Sequence, residues 1–177
     1  MIQPATDDTL KSKKQEIWNI LGTVNDPEVP VLSITDLGIV RGVNITSISK
    51  QKDHIEVIIT PTYSGCPAMD MISMNIRMAL IENGYTSFDI QTVLSPAWTT
   101  DWMSEHGKEK LKAYGIAPPN PSQSVCHTDL FQQDEAIQCP QCDSFRTTLI
   151  SQFGSTACKA LYKCNDCLEP FDYFKCH

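Results

Sequence analysis

The chain has 177 residues, room for one medium domain or two small ones. It is 41% hydrophobic and 20% charged, as globular proteins are, and its net charge of -7 with a pI near 5.0 argues against nucleic acid as the main partner, since phosphate binding needs a surplus of Lys and Arg. No segment suits a membrane: the most apolar helical stretch, Ala68 to Ile81, is short and carries Asp70 and Arg77. The polar stretch from Met1 to Lys14 lacks the apolar core of a signal peptide. The expectation is therefore a cytoplasmic protein whose eight cysteines are metal ligands or reactive thiols rather than a disulfide framework.

Ile17, Ile20, Leu21 and Val24 follow the i, i+3, i+4, i+7 spacing of one helix face, so Leu10 to Val24 reads as an amphipathic helix ended by Asn25-Asp26-Pro27. Ile39 to Ser49 and His54 to Thr62 read as two strands joined by the polar turn Lys50 to Asp53. A helix over Ala68 to Glu82 closes at Asn83-Gly84, and a third strand follows from Phe88 to Leu94. A last helix is expected from about Asp101 to Tyr114, capped by Thr99-Thr100-Asp101 and stopped by Gly115 and Pro118. The order α-β-β-α-β-α predicts an α+β fold, a small mixed sheet with helices packed on one face, plus a C-terminal zinc-ribbon module. Three prolines mark a linker at 117–124, which divides the chain into a first domain at 1–116 and a second at 125–177. All the cysteines except Cys66 lie beyond that linker.

Cys139-Pro140-Gln141-Cys142 and Cys164-Asn165-Asp166-Cys167 are two C-x2-C knuckles separated by 21 residues. Each knuckle turns two sulfurs toward one point, and two of them complete the tetrahedral thiolate set that suits Zn²⁺. Iron, alone or in a cluster, remains an alternative on ligand type. So small a module buries little apolar surface, and metal binding would supply much of its folding free energy. Cys158 and Cys176 exceed one tetrahedron; they read either as small buried hydrophobes or as donors of a second, more labile site. Cys126-His127 and the terminal His177 are weak ligand signals. Four Lys and Arg against seven Asp and Glu from Val125 onward argue against a nucleic-acid-binding ribbon.

Cys66 stands where a strand gives way to a helix, before Pro67. The helix N-terminus is expected to favour its thiolate and lower its pKa, fitting it for a labile metal, a cluster or nucleophilic work; the alternative is a capping thiol without reactivity. No His lies close by in sequence to serve as its base; His54 could come near only through the fold. Met69, Met71, Met74 and Met78 read as core filler or an adaptable binding surface. Trp98 and Trp102 read as core anchors or interface residues.

Asp26-Pro27-Glu28-Val29-Pro30, Asp36-Leu37-Gly38-Ile39-Val40 and Thr60-Pro61-Thr62-Tyr63-Ser64-Gly65-Cys66-Pro67 together resemble the α/β domain of iron–sulfur-assembly factors of the SufT type. The stretch from Trp98 to Pro119, the cysteine ribbon and the ending Pro170-Phe171-Asp172-Tyr173-Phe174-Lys175-Cys176 resemble the D proteins of bacterial phenylacetate degradation, the PaaD family. The resemblance implies an accessory protein of the multicomponent phenylacetyl-CoA 1,2-epoxidase, maturing or maintaining an iron or iron–sulfur centre. Its partners would be the oxygenase or reductase subunits, with a homodimer left open. The cofactors implied are zinc at the four cysteines and a transient iron or iron–sulfur cluster. Cys66 is carried over as the functional thiol, with Asp36 and Thr62 at matching motif positions. Two alternatives stand beside this reading, a stoichiometric structural subunit of the epoxidase and a thiol-dependent enzyme using Cys66. The chain has no Glu-x-x-His pair, Gly-rich nucleotide fingerprint or Ser-His-Asp order, so it is not expected to be catalytic alone.

Overall fold

The computed structural model describes residues 7–49, 52–119 and 137–175. Cys126, His127, Cys176 and His177, and most of the proline-rich linker, lie outside the described residues. Helix α1 spans Asp7–Leu21, starting earlier than its apolar spacing marks. In the turn that follows, one carboxylate oxygen of buried Asp26 accepts the backbone N–H groups of Glu28 and Val29, each at 2.8 Å. This Asx-type arrangement ties down a loop whose Leu32, Ile34 and Leu37 are fully buried.

Strands β1 (Val40–Ser49) and β2 (Lys52–Ile59) form an antiparallel pair, and β3 (Phe88–Thr92) lies parallel to β2. A parallel neighbour requires a crossover, which α2 (Ala68–Glu82) supplies. One sheet face is apolar across all three strands: Val43 lies beside Val57 and Ile45 beside Ile55, and these flank Ile90 and Phe88. Helix α1 brings Ile17, Ile20 and Leu21 to this core, and α2 brings Ile72, Ile76 and Leu80. Each such side chain, fully buried, is worth about 1.5–3 kcal/mol of transfer free energy, so the first domain has an ample core of its own. On the far side of α2, Met71, Met74 and Met78 are exposed, so the methionine run does not fill the core.

The expected helix from Asp101 to Tyr114 is broken. Thr100–Trp102 is one 3₁₀ turn, Met103 is extended, and α3 runs over Glu105–Tyr114. Ser104, not the Thr99–Asp101 cluster, is the N-cap: its Oγ accepts the N–H of Gly107 at 2.9 Å and donates to Asp36 Oδ1 at 2.9 Å. Tertiary contact decides this. The Trp102 backbone lies directly on Gly38, where a Cβ would fall 2.2 Å from the Trp102 carbonyl oxygen, and Gly38 has a φ of +69°. The C-terminal end is as expected, with Gly115 left-handed at φ 90°.

A second sheet has the order β4-β7-β6-β5, with β4 at Ile116–Ala117, β5 at Thr147–Ser151, β6 at Lys159–Cys164 and β7 at Pro170–Phe174. Strand β4 pairs in parallel with β7, so a division after 116 falls between two residues of one strand. The two cores also meet. Phe174, Cys158 and Ile116 belong to the large core, and Phe174 packs edge-on against Trp98 with ring centroids 6.2 Å apart. The Trp98 indole N–H donates to the Leu37 carbonyl at 2.8 Å, which makes it an internal anchor. No helix among the described residues is long and apolar enough to cross a membrane.

Candidate functional site

The four knuckle cysteines converge. Cys139, Cys142, Cys164 and Cys167 place their sulfurs within 4.8 Å of one another. Two edges of the group measure 3.7 Å, Cys139 to Cys167, and 3.5 Å, Cys142 to Cys164. Four sulfurs about 2.3 Å from a central ion would stand about 3.8 Å apart at the corners of a tetrahedron, so the donor set fits a single four-coordinate ion. A cluster of several irons would hold its cysteine sulfurs further apart.

The backbone is built for this convergence. Antiparallel β5 and β6 bring the second knuckle back beside the first. Each knuckle is followed by a residue with left-handed backbone, Asp143 at φ 60° and Leu168 at φ 67°. A leucine accepts that conformation at a cost, which the surrounding structure must meet. Asp166, inside the second knuckle, is hydrogen-bonded to Ser144 and paired with Arg146 just after the first. The N–H groups of Cys167 and Asp166 point at Cys164 Sγ from 3.5 Å and 3.4 Å. The first of these does most to bring the Cys164 thiol down to about 7, in readiness to bind as thiolate. The local core is small: Ala117, Ile137, Ala160, Phe171 and Tyr173 surround two of the knuckle cysteines.

The second group of interest lies where the two modules meet. Cys66 is half-buried on the Thr60-to-Pro67 loop ahead of α2. Burial pushes its thiol up, only partly opposed by the Ala68 N–H and the Tyr63 hydroxyl, and the charges of Glu28 and Asp26 push the same way. The expected low-pKa thiolate is therefore corrected: desolvation and nearby carboxylates outweigh the helix terminus. Burial likewise pushes the Tyr63 hydroxyl to about 12, helped by Cys66. His54 is engaged elsewhere, with Ser87 at 3.2 Å and Asp89 at 3.2 Å.

Cys158, from the ribbon, is buried at the same junction. Its sulfur lies 3.5 Å from Glu28 Oε2 and 3.0 Å from Thr156 Oγ1, and burial raises the thiol to about 11. Sequence reasoning leaves Glu28 without a role and does not single out Tyr63. Glu28 and Cys158 are 130 residues apart, so no local spacing could pair them.

The other two candidates sit differently. Asp36 is fully engaged: Oδ2 accepts from Lys110 Nζ at 2.7 Å and Ser33 Oγ at 2.8 Å, while Oδ1 accepts from Ser104 and lies 3.5 Å from His106. Burial opposes its charge, but these partners hold the carboxyl well below the usual carboxylate range. Asp36 thus joins the loop after α1 to α3. Thr62 helps line a cavity of about 400 Å³ with Tyr63, Ser64, Leu94 and Trp98, and nearby Thr60 has a buried hydroxyl without a partner among the described residues.

Residues 123–175 match the PaaD zinc beta ribbon domain, and residues 14–85 match the iron–sulfur cluster assembly protein family. Over 161 residues, 91% of this chain and 92% of the relative, the sequence is 51% identical to an Escherichia coli (strain K12) protein named as one of the subunits of 1,2-phenylacetyl-CoA epoxidase. The chain belongs to the PaaD family. The first PaaD module has relatives of its own. An Fe-S protein maturation auxiliary factor of Porphyromonas gingivalis is 32% identical over 99 residues, which are 55% of this chain and 90% of that one. A DUF59 domain of unknown function from Bacillus anthracis shares the fold, with a TM-score of 0.51 and 24% identity over 57% of this chain and 92% of that one. The two PaaD modules thus correspond to the two cysteine groups, the knuckles in one and Cys66 in the other.

Proposed function

We propose that this chain is an accessory protein of phenylacetyl-CoA epoxidase that matures or maintains an iron or iron–sulfur centre of that enzyme, with Cys66 as the residue that handles the metal. The observation that carries this reading is the position of Cys66: half-buried and uncommitted to a structural metal, on the loop that starts α2 of an iron–sulfur-assembly fold. A sulfur so placed is reachable from outside yet partly withdrawn from bulk water. Its proton stays on at neutral pH, so it does not act as a free thiolate nucleophile, and binding a metal displaces that proton. This weighs against a thiol-dependent enzyme.

Zinc is the ion we assign to the knuckles. When bound it supplies a fixed, redox-inert cross-link between the β5–β6 hairpin and the segment before β5. Cys139, Cys142, Cys164 and Cys167 would hold it, and the Asp166 contacts keep the two knuckles in register.

The test is Cys66→Ser in cells that make the epoxidase, followed by purification of the oxygenase and reductase and measurement of their iron. The expected result is a stable variant and partner enzyme short of metal. Fully metallated, active partner would overturn the reading. The name of the Escherichia coli relative favours a second reading, a stoichiometric component of the complex. That one requires co-purification at a fixed ratio, and full turnover by purified partners without this chain would exclude it.

A further inference from the structure

Helix α2 has two apolar faces, and the fold uses one of them. Ile72, Ile76 and Leu80 are buried in the core, while Met71, Met74, Met78 and Ile81 are each at least 50% exposed. At about 100° per residue these four fall within an arc of about 80°, on the side away from the sheet. Their spacing of i, i+3, i+7 and i+10 is the one with which a helix meets another helix. Methionine suits such a contact, because its flexible side chain adapts to an irregular partner. One flank of this stripe is charged. Asp70 and Arg77 carry opposite signs, are both exposed and lie on the same side of the helix, seven residues apart. Neither makes an ion pair among the described residues; the Arg77 guanidinium lies only loosely over the Phe88 ring, 6.0 Å from its centroid.

We propose that the exposed face of α2 binds a second copy of this chain, the two helices packing antiparallel about a two-fold axis beside Met74. The pattern is complementary to itself in this arrangement. With Met74 against its own symmetry mate, residues are counted outward from it in opposite directions on the two helices. Met71 then stands within one residue of Met78 of the second copy, and Asp70 within one residue of Arg77 of the second copy. At the ends Ile81 meets exposed Pro67, the N-cap of the other helix. The two-fold axis makes each of these contacts twice and covers both stripes at once. A parallel pair would instead set Asp70 against Asp70 and Arg77 against Arg77. One helix face, about 22 Å long and 10 Å wide, falls short of the roughly 800 Å² per partner of a standard interface. The dimer is therefore reversible, with a dissociation constant on the order of 10–100 µM. Its geometry also bears on Cys66. The N-termini of the two α2 helices, each six residues from Met74, stand about 18 Å apart along the axis. The two Cys66 thiols just ahead of them do not share one ion, and each copy keeps its own.

The experiment is sedimentation equilibrium of the full chain, loaded with zinc, from about 1 to 300 µM. The expected result is a reversible monomer–dimer equilibrium. Met74→Glu sets two like charges beside the axis and should raise the dissociation constant at least about tenfold. Asp70→Arg and Arg77→Asp each place like charges opposite one another and should also weaken the dimer. Mixing these two variants should restore it, because every flank contact in the mixed pair joins opposite charges. Damage to the fold cannot produce that rescue. All substitutions are at exposed positions, and thermal midpoints check that each variant is folded. If Asp70→Arg, which removes an acidic residue from the first turn of α2, melts early, Met74→Glu and Arg77→Asp are read without it. A chain that stays monomeric throughout, or a dimer indifferent to Met74→Glu, overturns the proposal. Failure of two folded charge variants to rescue each other overturns the antiparallel register. A monomeric chain that binds purified oxygenase or reductase, and loses that binding in Met74→Glu, gives the face to a client and overturns the proposal as well.

Discussion

Asp36 shows how a single carboxylate can look like a site residue and serve as a joint. It lies within the residues that match the iron–sulfur-assembly family, yet its oxygens are taken by Ser33, Ser104 and Lys110. Removing the charge with Asp36→Asn leaves Lys110 without its ion-pair partner and costs about 1.5–3 kcal/mol, the range for hydrogen bonds to a charged group. Denaturant midpoints at pH 7 would measure it. The pH dependence has a definite sign. The folded carboxyl ionises below its unfolded value of about 3.9, so its stabilisation is complete above that pH and is lost as pH falls toward the folded value. The gap between the unaltered chain and Asp36→Asn should therefore be constant at neutral pH and narrow below about pH 4. Cys66 teaches the complementary lesson. Its place before α2 was readable, but the direction of its pKa depended on burial and on Glu28 and Asp26, which only folding brings near.

At the scale of elements, the segment from Thr99 to Tyr114 is the instructive one. Its composition promises a continuous helix with an early cap. The structure inserts a 3₁₀ turn and an extended Met103, because the Trp102 backbone must settle on Gly38 and Ser104 must reach Asp36. Gly38→Ala should therefore be far more damaging than an ordinary glycine replacement. It adds a Cβ 2.2 Å from a backbone oxygen and places a side chain at positive φ. A loss of at least about 3 kcal/mol, or failure to accumulate folded protein, is expected in thermal melts. Gly65→Ala, also at positive φ but with nothing within 4 Å, should cost much less. The elements read correctly from sequence, α2 above all, are those whose apolar period alone decides their buried face.

For the whole molecule, the consequential feature is that the ribbon is not a tethered appendage. Strand β4 is the end of the first domain in sequence and the edge of the ribbon's sheet, and Phe174 and Cys158 are buried in the larger core. Stripping the metal with a chelator should therefore lower the unfolding midpoint of the entire chain, seen equally by circular dichroism and by the fluorescence of the three tryptophans, Trp18, Trp98 and Trp102. Two separate transitions, with the first unmoved, would contradict a shared core. The sequence by itself determined the metal tetrad, the order of helices and strands, and the two-part family resemblance, because C-x2-C spacing and apolar periodicity are local properties that a linear reading contains. Only the tertiary structure decided that Cys158 faces Glu28, that Asp36 is a joint, that the Cys66 thiol is raised rather than lowered, and that both modules share one core. Each of these depends on residues far apart in the chain meeting in a low-dielectric interior, and no short-range pattern encodes such a meeting.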